Sequence, residues 1–223
     1  INLTEALQSV PGIHVRTDAF GNRPLVHFRG ANATQTLLMV NGNSMRDLIW
    51  GFGIFWKGIP TSAIERIEIM RGPGSALFGA DAIAGAINII TKTAGQIKHS
   101  EAGVRLGSFN SKTTWLQHGD NWQGFEIGFT AELYDTEGYN PFIPTDRQAA
   151  FEDQTYATNA TLSPDNAQYG WRNQDIRLSA AKNHWRLQAD YTSRSELEIG
   201  LTGFGVLDPV TQGNDESFNL DLF

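Results

Sequence analysis

The order of apolar and polar residues changes near residue 98. Beyond it, strict alternation dominates. Phe125, Ile127, Phe129, Ala131 and Leu133 interleave with Glu126, Gly128, Thr130, Glu132 and Tyr134. Ile176, Leu178 and Ala180 interleave with Asp175, Arg177 and Ser179, and Trp185, Leu187, Ala189 and Tyr191 with Arg186, Gln188, Asp190 and Thr192. A period of two places each set on its own face of an extended strand. About five strands follow, near 101–107, 112–118, 122–135, 173–182 and 184–197. Before residue 98 the elements are mixed. Leu3, Leu7 and Val10 share a helical face, with Asn2 and Glu5 at capping-box spacing and Pro11-Gly12 as the stop. Residues 25–29 and 36–40 read as strands, the second leading into a hairpin turn at Asn41-Gly42. Pro60 opens a helical turn over 61–65, and Arg66 to Arg71 alternate until Gly72-Pro73 stops them. A second helical turn, Ser75–Phe78, closes on Gly79, and 86–91 form the last strand of a small α+β unit.

The connections in the second part are unequal. Gly119-Asp120-Asn121 and Lys182-Asn183 read as tight turns. Residues 135–172 form a long segment carrying Pro141, Pro144 and Pro164 with Asp135, Glu137, Asp146, Glu152, Asp153 and Asp165. Short turns at one end and long loops at the other characterise transmembrane β-barrels. A soluble β-rich binding or adhesion module shares the alternation but predicts no such asymmetry.

Composition narrows the classes. The net charge of −7 argues against a general nucleic-acid binder, and zero cysteines exclude disulfides, Cys-based zinc sites and thiol catalysis. No apolar run approaches the ~18 residues of a membrane-spanning helix, so any crossing must use strands. Charge also divides the chain. Residues 1–98 hold nine Lys/Arg against six Asp/Glu, whereas 99–223 hold eight against eighteen. A domain boundary is placed near 95–100, giving units 1–98 and 99–223.

Candidate chemistry is sparse. Gly51-Phe52-Gly53 begins like a dinucleotide fingerprint, but Trp56 replaces the third glycine. The five histidines are scattered, Ser75 lacks a nucleophile elbow, and the acidic segment lacks EF-hand spacing and reads as a solvated loop. No nucleophile and base converge, so neither an enzyme nor a cofactor is expected. Trp50, Phe52, Phe55 and Trp56 stand among Gly51, Gly53 and Gly58, an arrangement that suits an exposed recognition loop.

Residues 59–92, centred on Arg71-Gly72-Pro73-Gly74-Ser75-Ala76-Leu77-Phe78-Gly79-Ala80-Asp81-Ala82, closely resemble the end of the plug domain of TonB-dependent outer-membrane receptors. Residues 3–12, Phe28-Arg29-Gly30 and Leu38-Met39-Val40-Asn41-Gly42 are similar to the same plug in order and spacing. The resemblance covers residues 1–98, and 99–223 resemble the opening barrel strands more loosely. It implies an α+β plug domain, a small mixed sheet with short helices, followed by antiparallel strands of an incomplete transmembrane β-barrel. The family's barrel has 22 strands and a TonB box precedes its plug. This stretch shows neither, and so reads as a piece of a longer receptor.

The implied place is the outer membrane, with the plug inside the lumen, short turns periplasmic and long loops extracellular. The implied function is energy-coupled uptake of a scarce nutrient complex. A ferric siderophore is the first expectation, cobalamin or haem the alternatives, and the scattered histidines count against haem. The implied partners are TonB with its inner-membrane energising complex, outer-membrane lipid and a small metal-chelate or cofactor substrate; nucleic acid is not one. In the family, plug arginines of these motifs pair with barrel carboxylates, which points to Arg71 and Arg29 as a plug–barrel lock. Loops 18–23 and 43–57 would bring together Arg23, Arg46, Trp50, Phe52, Phe55 and Trp56 at the plug's outward apex. Cations there would suit an anionic chelate, and aromatic faces a flat ligand.

Overall fold

The computed structural model describes residues 3–18, 23–46, 59–97, 99–202 and 204–222. The first part opens with α1 (Leu3–Gln8), then β1 (Ile13–Asp18) and β2 (Arg23–Phe28), an antiparallel pair. Asn2 and the side chain of Glu5, the expected capping box, lie outside the described residues. A four-stranded sheet follows, built from β3 (Thr36–Val40), β4 (Asn43–Ser44), β5 (Ile64–Arg71) and β6 (Gly85–Thr91) in the order β4-β3-β6-β5. The central strands β3 and β6 run parallel, and the outer pairings are antiparallel. β3 is buried at every position, as its unbroken apolar run requires of a strand covered on both faces.

One face of this sheet packs Leu38, Val40, Ile87 and Ile89 against Leu3, Leu7, Val26 and Phe28; the other packs Leu37, Met39 and Ala86 against Ala82. Gly85 is required by proximity. A Cβ there would lie 2.6 Å from the Met70 carbonyl oxygen and 3.1 Å from the Phe28 ring. The expected turn at Asn41-Gly42 is present, with φ of 51° and 85° matching a type I′ hairpin. Asn41 Nδ2 donates to Thr91 Oγ1 (2.8 Å), and the Gly42 amide donates to Asn88 Oδ1 (3.0 Å), which pins the hairpin to β6. The expected helix at 61–65 is a single 3-10 turn, Thr61–Ala63; Ile64 already begins β5.

The second part is one antiparallel sheet of six strands, where sequence alternation predicts about five. Its members are β7 (Glu101–Leu106), β8 (Lys112–Trp122), β9 (Phe125–Thr136), β12 (Trp171–Lys182), β13 (Trp185–Leu201) and β14 (Leu207–Leu222). A two-residue pair, β10 (Phe142–Ile143) with β11 (Asp165–Asn166), lies in the long connection. Each hairpin neighbour is next in sequence, apart from that insertion. The expected turn at Gly119-Asp120-Asn121 is not one. β8 runs through it, and the chain turns at Gln123-Gly124, whose φ values are 52° and 78°.

Register decides what each face carries. Ala102, Leu116, Ala131, Ile176, Tyr191 and Phe218 form one row across all six strands. The adjacent row, one residue along each strand, is Glu101, Gln117, Thr130, Arg177, Asp190 and Asn219. The apolar row is the exposed one: Phe218 is 65% exposed and Arg177 7%. A water-soluble sandwich buries its apolar rows, so this sheet is inverted relative to one.

Candidate functional site

The polar face of the six-stranded sheet is a charged surface that is buried and internally matched. Arg177 Nε and Nη2 donate to both carboxylate oxygens of Asp175 at 2.8 Å, and Thr192 Oγ1 donates to the same carboxylate at 2.8 Å. The other side of the Arg177 guanidinium reaches Asp190 at 3.5 Å, and Arg194 pairs with Asp215. Two-point guanidinium–carboxylate pairing fixes orientation as well as charge. Buried ions on one face and exposed leucines on the other suit a wall with lipid outside and a polar lumen inside.

The first part docks onto this polar face. Ser62 Oγ donates to Glu132 Oε2 (2.6 Å), Asn43 Nδ2 to Asp221 Oδ2 (2.6 Å) and Lys92 Nζ to Gln117 Oε1 (3.2 Å). The 3-10 turn Ala94–Gln96 lies directly on β8 and β9. The charge asymmetry seen in the sequence does not appear in these three bonds, because both carboxylates accept from neutral donors and the Lys92 ammonium meets a neutral amide.

The residues expected from the sequence fare differently. Arg71 ends β5 and is exposed; among the described residues it meets no carboxylate. Arg29 is also exposed, in a left-handed turn (φ 46°), with its amide donating to the Gly12 carbonyl at 2.8 Å. Arg46 is paired with Asp81, in the turn that follows α2 (Ser75–Phe78). The side chain of Arg23 and all of Trp50, Phe52, Phe55 and Trp56 lie outside the described residues. Sequence reasoning missed Asn43, Ser62 and Lys92 on the docking side. Glu132 was recoverable, because it occupies a polar phase position of an alternating strand; Asn43 and Ser62 carry no such signal.

The long acidic connection is not merely solvated. Asp146 accepts from the Ala149 amide (2.9 Å), the Leu207 amide (2.9 Å) and the hydroxyls of Thr161 (2.8 Å) and Ser163 (3.3 Å). Burial opposes its charged form, yet those bonds prevail and hold its carboxyl below the ordinary aspartate range. Asp153 accepts from the Thr158 hydroxyl (2.6 Å), Gln148 (3.0 Å) and the Ala160 and Thr161 amides (both 3.1 Å), and is held lower still. These two carboxylates are saturated by protein donors. Among the described residues no group of three His, Asp or Glu is placed to hold a metal.

Comparison with known proteins agrees with this arrangement. Residues 1–86 match the family model of the TonB-dependent receptor plug domain. The vitamin B12 transporter BtuB of Vibrio vulnificus is 39% identical over 108 residues, which are 48% of this chain and 18% of that protein. An iron-regulated outer membrane virulence protein of Vibrio cholerae is 29% identical over 207 residues, 90% of this chain and 28% of that protein. Among solved structures, the ferric enterobactin receptor of Pseudomonas aeruginosa superposes with a TM-score of 0.66 at 18% identity, over 98% of this chain and 36% of that one. The chain therefore spans less than a third of the length of those curated relatives. Residues 1–86 therefore belong to the TonB-dependent receptor plug domains, and the chain, with that plug sheet docked on the polar face of an inverted strand wall, has the fold of a stretch running from such a plug into the barrel.

Proposed function

We propose that the intact protein takes up a scarce nutrient complex across the outer membrane, energised by TonB, with no covalent chemistry on the substrate. The observation that carries this reading is the inverted sheet. It presents leucine, isoleucine and phenylalanine outward and receives the plug on the half-buried carboxylates of Glu132 and Asp221. In this reading the turns at 123–124 and 183–184 are periplasmic, and residues 137–170 are extracellular. Trp122, Phe125 and Trp185, all exposed beside those turns, form an interfacial aromatic girdle.

For substrate, a ferric siderophore is the first choice, supported by the iron-regulated relative that aligns along most of this chain. Cobalamin is supported equally, because the B12 transporter aligns over a shorter stretch at higher identity. Recognition is assigned to Arg23, Arg46, Trp50, Phe52, Phe55 and Trp56, and the lock between plug and remaining barrel to Arg71 and Arg29. Uptake of radioiron-loaded enterobactin and of radiolabelled cyanocobalamin, in cells with and without TonB, separates the two substrates. TonB-independent accumulation, or none of either probe, would count against the reading. Replacing Trp50, Phe52, Phe55 and Trp56 together by Ala should lower apparent affinity at least about tenfold, or ~1.4 kcal/mol, in outer-membrane vesicles. Unchanged affinity would move recognition to the extracellular loops.

A further inference from the structure

Gly119 of β8 and Gly128 of β9 are direct partners across the ladder, on the polar face. A Cβ on Gly119 would lie 2.5 Å from the Ile97 carbonyl oxygen and 2.8 Å from that of Ala94; one on Gly128 would lie 2.7 Å from the Ala94 amide nitrogen. The Ser179 hydroxyl, 2.6 Å from the Gly128 position, can rotate aside, but the backbone atoms of Ala94 and Ile97 cannot. Two facing glycines therefore open a notch in the wall, and the turn Ala94–Gln96 fills it, leaving Ala94 and Ile97 only 8% and 5% exposed.

The turn is braced from within. The Thr93 amide and hydroxyl both donate to Gln96 Oε1 (2.6 and 2.9 Å), which closes a capping box. The Lys92 amide donates to the Ala63 carbonyl (2.8 Å), tying the turn to the start of β5, while the Lys92 ammonium reaches Gln117. Elsewhere, among the described residues, side-chain hydrogen bonds from plug to wall number two, Ser62–Glu132 and Asn43–Asp221. Each is a single bond from a neutral donor to a carboxylate.

We infer that the Gly119–Gly128 notch is a seat that fixes residues 92–97 to the wall and makes them the pivot of the plug, the last part to leave when the remainder is displaced. The inference rests on the proposed energised uptake, with the added step that a plug filling the lumen is displaced to let substrate pass. Gly119 and Gly128 are then positioning residues, and the Ser62 and Asn43 bonds are the ones that release.

Hydrogen exchange across a urea titration of the intact receptor in detergent tests this without substrate or TonB, so it stands apart from any failure of the uptake assignment. The amides of Gln96 and Ile97 should stay protected to urea concentrations higher by about 1 M or more than those of Ala63 and Met45. The turn Ala33–Gln35 is an internal control, since it carries the same kind of capping box with no wall beneath it. In Gly128→Ala, exchange at Gln96 and Ile97 should quicken at least tenfold and approach that of Gln35. Loss of protection at 96–97 at the same urea as Ala63 and Met45, or below it, overturns the proposal. If Gly128→Ala fails to assemble, the order of release in the unmodified receptor decides alone.

Discussion

Replacing Asp146 by Ala removes the acceptor that ties the long connection to the hairpin between β13 and β14. Four donors lose their partner, but not equally. The Thr161 and Ser163 hydroxyls lie 2.8 Å apart and can satisfy each other. The Ala149 amide is partly exposed and regains water. The Leu207 amide has neither recourse, because Leu207 is 1% exposed. An unsatisfied buried donor costs about 1–3 kcal/mol, and a lost bond to a charged acceptor is worth about 1.5–3 kcal/mol. The two descriptions overlap, so the local cost is about 2–4 kcal/mol, or roughly 30- to 1,000-fold in the open population. The tie beside it, the Arg147 amide to the Gly205 carbonyl at 3.0 Å, should open with it, while the bonds of Tyr169 and Gly170 to β13 hold the far end of the connection. Arg147 is also a trypsin site. When reclosing outpaces cleavage, the rate of cutting follows that population. Tryptic cleavage after Arg147 in the purified receptor should therefore accelerate by at least about thirtyfold in Asp146→Ala. Asp146→Asn, which keeps one carbonyl acceptor, should fall between. A rate within about threefold of the unmodified protein would refute the view that this carboxylate organises the loop.

Removing Asp175 leaves the Arg177 guanidinium buried with only the longer contact to Asp190; Asp175→Ala should destabilise the strand wall by about 3–5 kcal/mol, visible as a lower temperature of heat modification on gels. Asp153, whose folded pKa is depressed, contributes stability that is full above the unfolded value near 3.9 and is lost as pH falls through the folded one. Exchange protection of the Ala160 and Thr161 amides should thus be flat above about pH 5 and decline in stronger acid in the unmodified protein, and be pH-independent in Asp153→Asn. If Arg71 holds the plug to barrel carboxylates, Arg71→Ala should raise passive entry of a large antibiotic at normal receptor abundance, and unchanged entry would remove it from the lock.

What could be read from the sequence was whatever is periodic or stereochemically coded. β5, β6 and the Asn41-Gly42 turn follow from alternation and from backbone preference, and the apolar rows of β9, β12 and β13 from phase alone. β14 escaped because Thr211 to Ser217 are polar on both faces and Gly213 interrupts them; its apolar outward positions, Phe218, Leu220 and Leu222, cluster at the end. Gly119 was misread because a glycine beside Asp and Asn signals a turn locally, whereas here it is demanded by a backbone 22 residues earlier, at Ile97. The order of residues 137–170 was invisible for a related reason. It comes from two carboxylates used as hydrogen-bond hubs, and hubs have no period. Arg46 pairs with Asp81, a partner that no local rule selects.

The parallel pairing of β3 with β6 has a consequence for the order of folding. It joins Thr36 to Gly85 and Val40 to Ile89, so the plug sheet cannot close until nearly fifty residues of intervening chain have been gathered in. The wall hairpins of β8–β9 and β12–β13 close over two-residue turns, a local event of about 1–10 μs in favourable cases. Contacts distant in sequence form later, because loop-closure entropy is lost before they return anything. Pulse-labelled exchange during refolding should therefore protect amides of β9 and β12 before those of β3, and the reverse order would exclude the scheme. A plug that completes late does so against a wall already partly in place, with the glycine notch waiting for its final turn.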